Sequence, residues 1–166
     1  MAEQPINPLM TELTHWHDVA RLRYRQFLEA VTALELTDAE RHLALFARLL
    51  SATMEFSADR LQLLDNDQNN AQQIIKADQM ILRRTLDLVT TAVAELIEHS
   101  RNKENRLRSA LVDRLDVMVR MQNILINHQQ RQQETIIAQF PAHADPAMSQ
   151  KLADQLNAVM HQAQPN

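Results

Sequence analysis

Two side chains near the start of the chain have the spacing of metal ligands. Glu12 and His15 are three residues apart, so on an α-helix a carboxylate and an imidazole share one face. A helical di-metal site needs a second Glu-x-x-His pair and two more carboxylates, and the sequence contains no second pair. A helical-bundle metalloprotein is therefore the third hypothesis for this chain, and an exposed polar face is the simpler interpretation of Glu12 and His15.

Other candidates for catalytic chemistry are weaker still. His17-Asp18 matches the two-residue core of His–Asp phosphohydrolase sites, which also need a His from an earlier helix, and the only earlier His is His15. The serines have no strand–turn–helix context that would activate a nucleophile. Cysteine is absent, which removes thiolate nucleophiles and cysteine-bound zinc. We therefore expect no enzymatic activity and no cofactor.

A short basic segment could bind phosphate groups. Arg101, Lys103, Arg106 and Arg108 lie within eight positions, interrupted by Glu104. Such a patch can contact a nucleic-acid backbone. However, no aromatic side chain accompanies it, and the whole chain carries a net charge of −4. Nucleic-acid binding through residues 101–108 is the second hypothesis, and a solvated helix surface is the simpler interpretation.

The elements that would position these residues are long helices. The 166 residues include no glycine, which removes phosphate-cradling loops and most tight hairpin turns. Apolar residues recur at alternating spacings of three and four, the pattern of helix–helix seams. Three seams read Leu13, Trp16, Ala20, Tyr24, Phe27, Val31, Leu34; Leu43, Ala47, Leu50, Met54, Ser57, Leu61, Leu64; and Ile75, Gln79, Leu82, Leu86, Val89, Val93, Leu96. The fold predicted is an all-α antiparallel bundle of four to five long helices with coiled-coil-like seams.

Helix boundaries divide the chain into three parts. Residues 1–9 are predicted to form an extended arm, residues 10–139 the bundle, and residues 140–166 a loop and short helix that packs on the bundle or on a partner. Thr37 and Glu40 have capping-box spacing for the second helix, and Asp145-Pro146 is predicted to begin the last one.

Two connections inside the bundle follow from polar runs. The Asn- and Asp-rich run 65–70 is predicted to separate helices two and three, because these residues tolerate left-handed backbone. The polar run 100–105 predicts a turn between helices three and four, with one continuous long helix as the alternative.

The fourth predicted helix has two dissimilar segments. Between Leu107 and Ile126 it is apolar on nearly every side, which is typical of a helix with neighbours all round, and Leu111 is predicted to be buried on one of these faces. We therefore predict a homodimer with Val112, Val119 or Ile126 in or near the interface. Residues 127–135 contain no apolar side chain and are expected to project beyond the core as a solvated extension. The alternatives are self-association through polar side chains and a partner surface that orders on binding.

The first hypothesis for function is a non-enzymatic interaction protein: an adaptor, chaperone or regulator that binds another protein through helix–helix contacts. Exposed residues beside the seams, such as Phe56, Leu63 and Ile74, are predicted to contribute to its surface. No apolar run approaches the ~18 residues of a membrane span, so we expect a soluble, cytoplasmic protein that does not act in a membrane.

Overall fold

The computed structural model describes residues 7–58, 69–102, 106–139 and 145–164 of the chain. Within these ranges 94% of the structure is helical and no residue lies in a strand, so the predicted all-α bundle is confirmed. The helices are α1 (Pro8–Thr32), α2 (Leu36–Phe56), α3 (Asn69–Arg101), α4 (Leu107–Gln139) and α5 (Pro146–Ala163).

The helix ends differ from several predicted boundaries. α1 begins at Pro8, so Pro8 and Leu9 belong to the helix rather than to the predicted arm, and residues 1–6 lie outside the described ranges. The Asn7 side chain caps α1 by accepting from the backbone N–H of Met10. α5 begins as predicted, with Asp145 accepting from the N–H of Ala147.

The predicted capping box at Thr37 is wrong. α2 begins at Leu36, two residues earlier than a cap at Thr37 would place it, with Glu35 in the capping position and no side-chain cap. The α1 terminus sets this start instead: the N–H groups of Leu34 and Glu35 bond to the carbonyl oxygens of Val31 and Ala30. That is a Schellman motif, in which one residue takes left-handed backbone. Leu34 does so here, with φ 61°, at a position where glycine is usual.

The connections on either side of α3 lie partly outside the described ranges. α2 ends at Phe56 and α3 begins at Asn69, while residues 59–68, including most of the Asn- and Asp-rich run, are not described. The turn between helices three and four is confirmed, since α3 ends at Arg101 and α4 begins at Leu107.

The main core is a cluster shared by α1, α2, α3 and α4. Tyr24, Phe27 and Phe46 form its aromatic centre, with ring centroids 4.8–5.2 Å apart. Tyr24 donates from its hydroxyl to the carbonyl oxygen of Met118 on α4, at 2.7 Å. The predicted burial of the seam leucines is confirmed for Leu50, Leu86 and Leu111.

A second, smaller cluster joins α5 to α1 and α2. Its members are Leu9, Leu13, Trp16, Leu49, Ala52, Phe56, Leu152, Leu156 and Met160. Trp16 donates from its indole N–H to Asn157 at 2.7 Å, and Ser149 accepts from the N–H of Leu9 at 3.3 Å. The C-terminal helix therefore packs on the bundle and also satisfies a donor at the start of α1.

The α3–α4 contact shows the direction of this pair. Arg114 bonds to Glu95 and Arg131 bonds to Asp78, both at 2.7 Å. Residue numbers rise along α4 as they fall along α3, which is the order of an antiparallel pair. Antiparallel packing of the remaining helices stays a prediction.

Candidate functional site

A stripe of apolar side chains on α4 faces away from the core. Val112, Val119 and Ile126 are 66%, 47% and 38% exposed, and they recur at intervals of seven residues. A heptad interval keeps side chains on one face of a helix that packs along another helix. The three side chains, hereafter the α4 stripe, are the residues that the sequence assigns to a dimer interface.

A similar stripe lies on α3. Ile74, Ile81 and Leu88 are about half exposed and also recur every seven residues. Ile74 was predicted to be exposed, and it is. The prediction that Phe56 is exposed is wrong, because Phe56 is buried where α5 covers α2. Leu63 lies outside the described ranges.

The basic residues of the second hypothesis surround the α3–α4 connection. Arg101, Arg106 and Arg108 are exposed, and Lys103 lies outside the described ranges. Three exposed arginines can neutralise only about three phosphate groups, which limits the electrostatic contribution to nucleic-acid affinity. This surface therefore carries less weight than the two apolar stripes.

The Glu12–His15 pair is not joined by further ligands. His15 is exposed and meets the edge of Trp16, with ring centroids 5.2 Å apart. Among the residues that the structure describes, no three His, Asp or Glu side chains converge as a metal site would require. In the same ranges, no helix has the length and hydropathy needed to cross a bilayer.

The Gln-rich segment of α4 lies inside the bundle, and the prediction that it projects as a solvated extension is wrong. His128, Gln129 and Gln132 are each no more than 2% exposed. Their side chains meet polar groups of other helices, including His17 on α1, Ser57 on α2 and Asp78 on α3. We call this set the polar layer, because it crosses the bundle between α1, α2, α3 and α4.

Donors and acceptors in the polar layer can be assigned by starting from a backbone carbonyl oxygen, which can only accept. Ser57 donates to the carbonyl oxygen of Thr53 at 2.9 Å, so its hydroxyl oxygen accepts from the Gln132 amide. The Gln132 carbonyl oxygen therefore faces His17, whose Nε2 lies 2.9 Å away and must donate. His17 Nδ1 is then the acceptor for the Gln133 amide at 3.3 Å. The Thr53 carbonyl oxygen thus fixes Nε2 as a donor, and the Gln133 amide makes Nδ1 the acceptor of a neutral ring.

Burial reinforces the neutral state of His17. Removal from water is the main reason that its pKa falls from 6.5 to about 4, and the hydrogen bond that His17 donates to Gln132 opposes the shift only in part. The positive side chains of His128 and Arg21 lower the pKa of His17 further. Arg21 also anchors the layer, because its Nε donates to Gln129 at 2.5 Å while the Gln129 amide donates to the carbonyl oxygen of His17.

The α3 side of the polar layer is less complete. Asp78 accepts from Arg131 at 2.7 Å through one oxygen, while its other oxygen lies 3.7 Å from His128 Nδ1. Neither of these two facing atoms has a hydrogen-bond partner. Burial lowers the pKa of His128, and the Asp78 carboxylate acts in the opposite direction.

Sequence reasoning missed the polar layer because it equated polarity with exposure. One signal was available: in residues 127–135, His128, Gln129 and Gln132 recur at the one-, three- and four-residue spacings of one helix face. His17 occupies a core-facing position four residues after Leu13 and three before Ala20. The pattern thus contained both sides of the contact, although only the packing shows that they meet.

Comparison with known proteins gives no relative for this chain. No protein-family model, no curated protein and no solved structure matches it.

Proposed function

We propose that this protein is a non-enzymatic helical interaction module, located in the cytoplasm, that binds protein partners through helix–helix contacts. The observation that carries the proposal is the α4 stripe, where Val112, Val119 and Ile126 expose apolar surface at heptad intervals. Single exposed apolar residues are ordinary on protein surfaces, but a regular row of them along one helix favours a helical partner.

The α4 stripe has the dimensions of a helix-packing surface. From Val112 to Ile126 it covers 14 residue steps, or roughly 20 Å of helix at 1.5 Å per residue. Gln122 and Asn123, which lie between stripe positions, are polar but uncharged. The nearby charges of Asp116 and Arg120 are paired within α4 at 2.8 Å. A partner helix could therefore cover the stripe without burying an unpaired charge.

The proposed partner of the α4 stripe is a second copy of the chain. The stripe is symmetric about Val119, with one β-branched residue seven positions before it and another seven after it. A twofold axis at Val119 would place the Val119 side chains of the two copies together, and Val112 of each copy against Ile126 of the other. The three stripe residues that face one another in this arrangement are uncharged.

Replacement of Val119 by Asp tests the proposal. We expect the unmodified protein to sediment as a dimer at micromolar concentration, and Val119→Asp to weaken association at least ~100-fold, because two carboxylates would then face each other across the axis. Ile81→Asp is the matched control: Ile81 has nearly the same exposure, 49% against 47% for Val119, but lies on the α3 stripe.

The outcomes of these measurements distinguish the α4 stripe from the α3 stripe and from the basic surface at residues 101–108. Dimerisation that Ile81→Asp abolishes and Val119→Asp leaves intact would move the interface to α3 and contradict the assignment to α4. A monomer at ~100 µM would contradict self-association altogether. Binding of generic DNA or RNA that weakens steeply with salt, and that is lost when Arg101, Arg106 and Arg108 are neutralised, would favour the nucleic-acid hypothesis instead.

A further inference from the structure

We propose that the polar layer is an acid-sensitive latch, which holds the start of α3 and the last part of α4 against α1 and α2 while His17 is neutral and loosens this end of the bundle when His17 is protonated. This proposal does not depend on self-association through the α4 stripe. It stands on the position of the layer and on the direction of its hydrogen bonds.

The layer lies at the junction between two parts of the bundle. α1, α2 and α5 share the second core cluster, to which α3 and α4 contribute no buried residue. α3 and α4 form a pair held by Glu95–Arg114 and Asp78–Arg131. The bonds from Gln129, Gln132 and Gln133 to α1 and α2 cross from one part to the other. Elsewhere the junction is held by the main core and by the bond from Tyr24 to Met118. Loss of the polar-layer bonds would therefore weaken the junction at the end of the bundle where the layer lies.

The hydrogen-bond chain accepts only one protonation state of His17. Its direction begins at the Thr53 carbonyl oxygen, which cannot reverse, and passes through Ser57 and Gln132 to Nε2. Protonation of Nδ1 would place an N–H against the Gln133 amide nitrogen, which is itself a donor. It would also create a cation at a site that is 2% exposed.

Within the described ranges, no carboxylate compensates for that cation. The charged groups that act on His17 are Arg21 on α1 and His128 on α4, and both are basic. α2 contributes the neutral Ser57. Asp78 on α3 lies against His128 and Arg131 rather than His17, and Asp18 on α1 is exposed beside Arg21, 3.8 Å from its guanidinium. Among the described residues, no carboxylate is hydrogen bonded to His17.

The direction of the effect follows from linkage between protonation and opening. The His17 pKa is about 4 in the closed bundle and returns towards 6.5 once the ring reaches water. The closed state is therefore fully favoured above pH ~6.5 and loses that advantage as the pH falls towards ~4. Between about pH 7.5 and 4.5, this shift raises the opening equilibrium constant roughly 50- to 100-fold.

Hydrogen exchange read by mass spectrometry tests the latch, with each variant compared at the same pH. We expect amides around the polar layer, at the start of α3 and in the last part of α4, to lose protection at pH ~4.5 in the unmodified protein before amides of α1, α2 and α5. Gln in place of His17 can donate and accept but does not titrate. His17→Gln should therefore remove most of the expected ~50-fold or larger change in opening. His15→Gln, which changes an exposed His two residues away, should behave like the unmodified protein.

Two outcomes would overturn the proposal. One is equal acid sensitivity of His17→Gln and the unmodified protein; the other is simultaneous loss of protection in all five helices. If His17→Gln does not fold, NMR titration of the His17 ring in the unmodified protein decides instead. A midpoint near 4 supports the latch, and a midpoint near the ordinary ~6.5 contradicts it.

Discussion

In the two segments of α4, burial is the opposite of what their compositions suggest. Residues 107–126 carry apolar side chains on nearly every side of the helix, yet Val112, Val119 and Ile126 face solvent. Residues 127–135 contain no apolar side chain, yet His128 and Gln132 are among the most buried polar groups in the described structure. The difference teaches that neighbouring helices, rather than the polarity of a segment, decide which faces of a long helix are covered.

The exposed apolar side chains and the buried polar side chains of α4 differ in what they cost in free energy. An exposed apolar side chain costs little by itself, so the α4 stripe is tolerated and remains available to a partner. A buried polar side chain is costly unless it is hydrogen bonded, so the polar layer is built around partners from other helices. We therefore expect single substitutions in the two segments to have effects that composition alone would not anticipate.

The largest expected change in the free energy of unfolding distinguishes two adjacent residues of the apolar segment. Leu111 is buried in the main core, whereas Val112 is largely exposed. Leu111→Ala should lower the free energy of unfolding by about 2–5 kcal/mol, since it leaves a cavity. Val112→Ala should change it by less than about 0.5 kcal/mol. Urea denaturation at low protein concentration measures both, and equal effects would show that the burial pattern of α4 is misassigned.

The polar segment should show the same contrast between two glutamines. Gln132→Ala removes the partner of both His17 and Ser57, and should cost about 1–3 kcal/mol of unfolding free energy. Gln130 bonds only to Glu134 on the exposed side of α4. Gln130→Ala should therefore cost less than about 0.5 kcal/mol. If Gln132→Ala were as mild, the hydrogen bonds of the polar layer would contribute nothing to stability.

The smallest expected effect extends the comparison from side-chain polarity to backbone conformation. Leu34 combines left-handed backbone with partial packing against the main core. Leu34→Ala loses the packing and keeps the unfavourable φ, whereas Leu34→Gly loses the packing and relieves it. The glycine variant should therefore be more stable than the alanine variant, by about 1 kcal/mol in thermal or urea unfolding. The opposite order would mean that the φ of Leu34 carries no strain.

The sequence by itself determined which segments form helices, because helix formation depends on residues only a few positions apart. The absence of glycine, the alternating intervals of three and four, and the Asp145-Pro146 start each act within a few residues, and the predicted helices follow from them. The burial of Leu50, Leu86 and Leu111 could be predicted for the same reason. The unused capping box at Thr37 shows the limit, since the Schellman motif of the preceding helix began α2 earlier.

Tertiary structure alone decided which faces are covered. Phe56 is buried because α5 packs over it, and His17 meets Gln132 across 115 positions of sequence. Contacts of that kind depend on how helices are placed beside one another, and helical periodicity does not specify the placement. The sequence contained a polar surface and an apolar stripe on one helix. The packing of α1, α2 and α3 against α4 put the first inside the bundle and left the second in solvent.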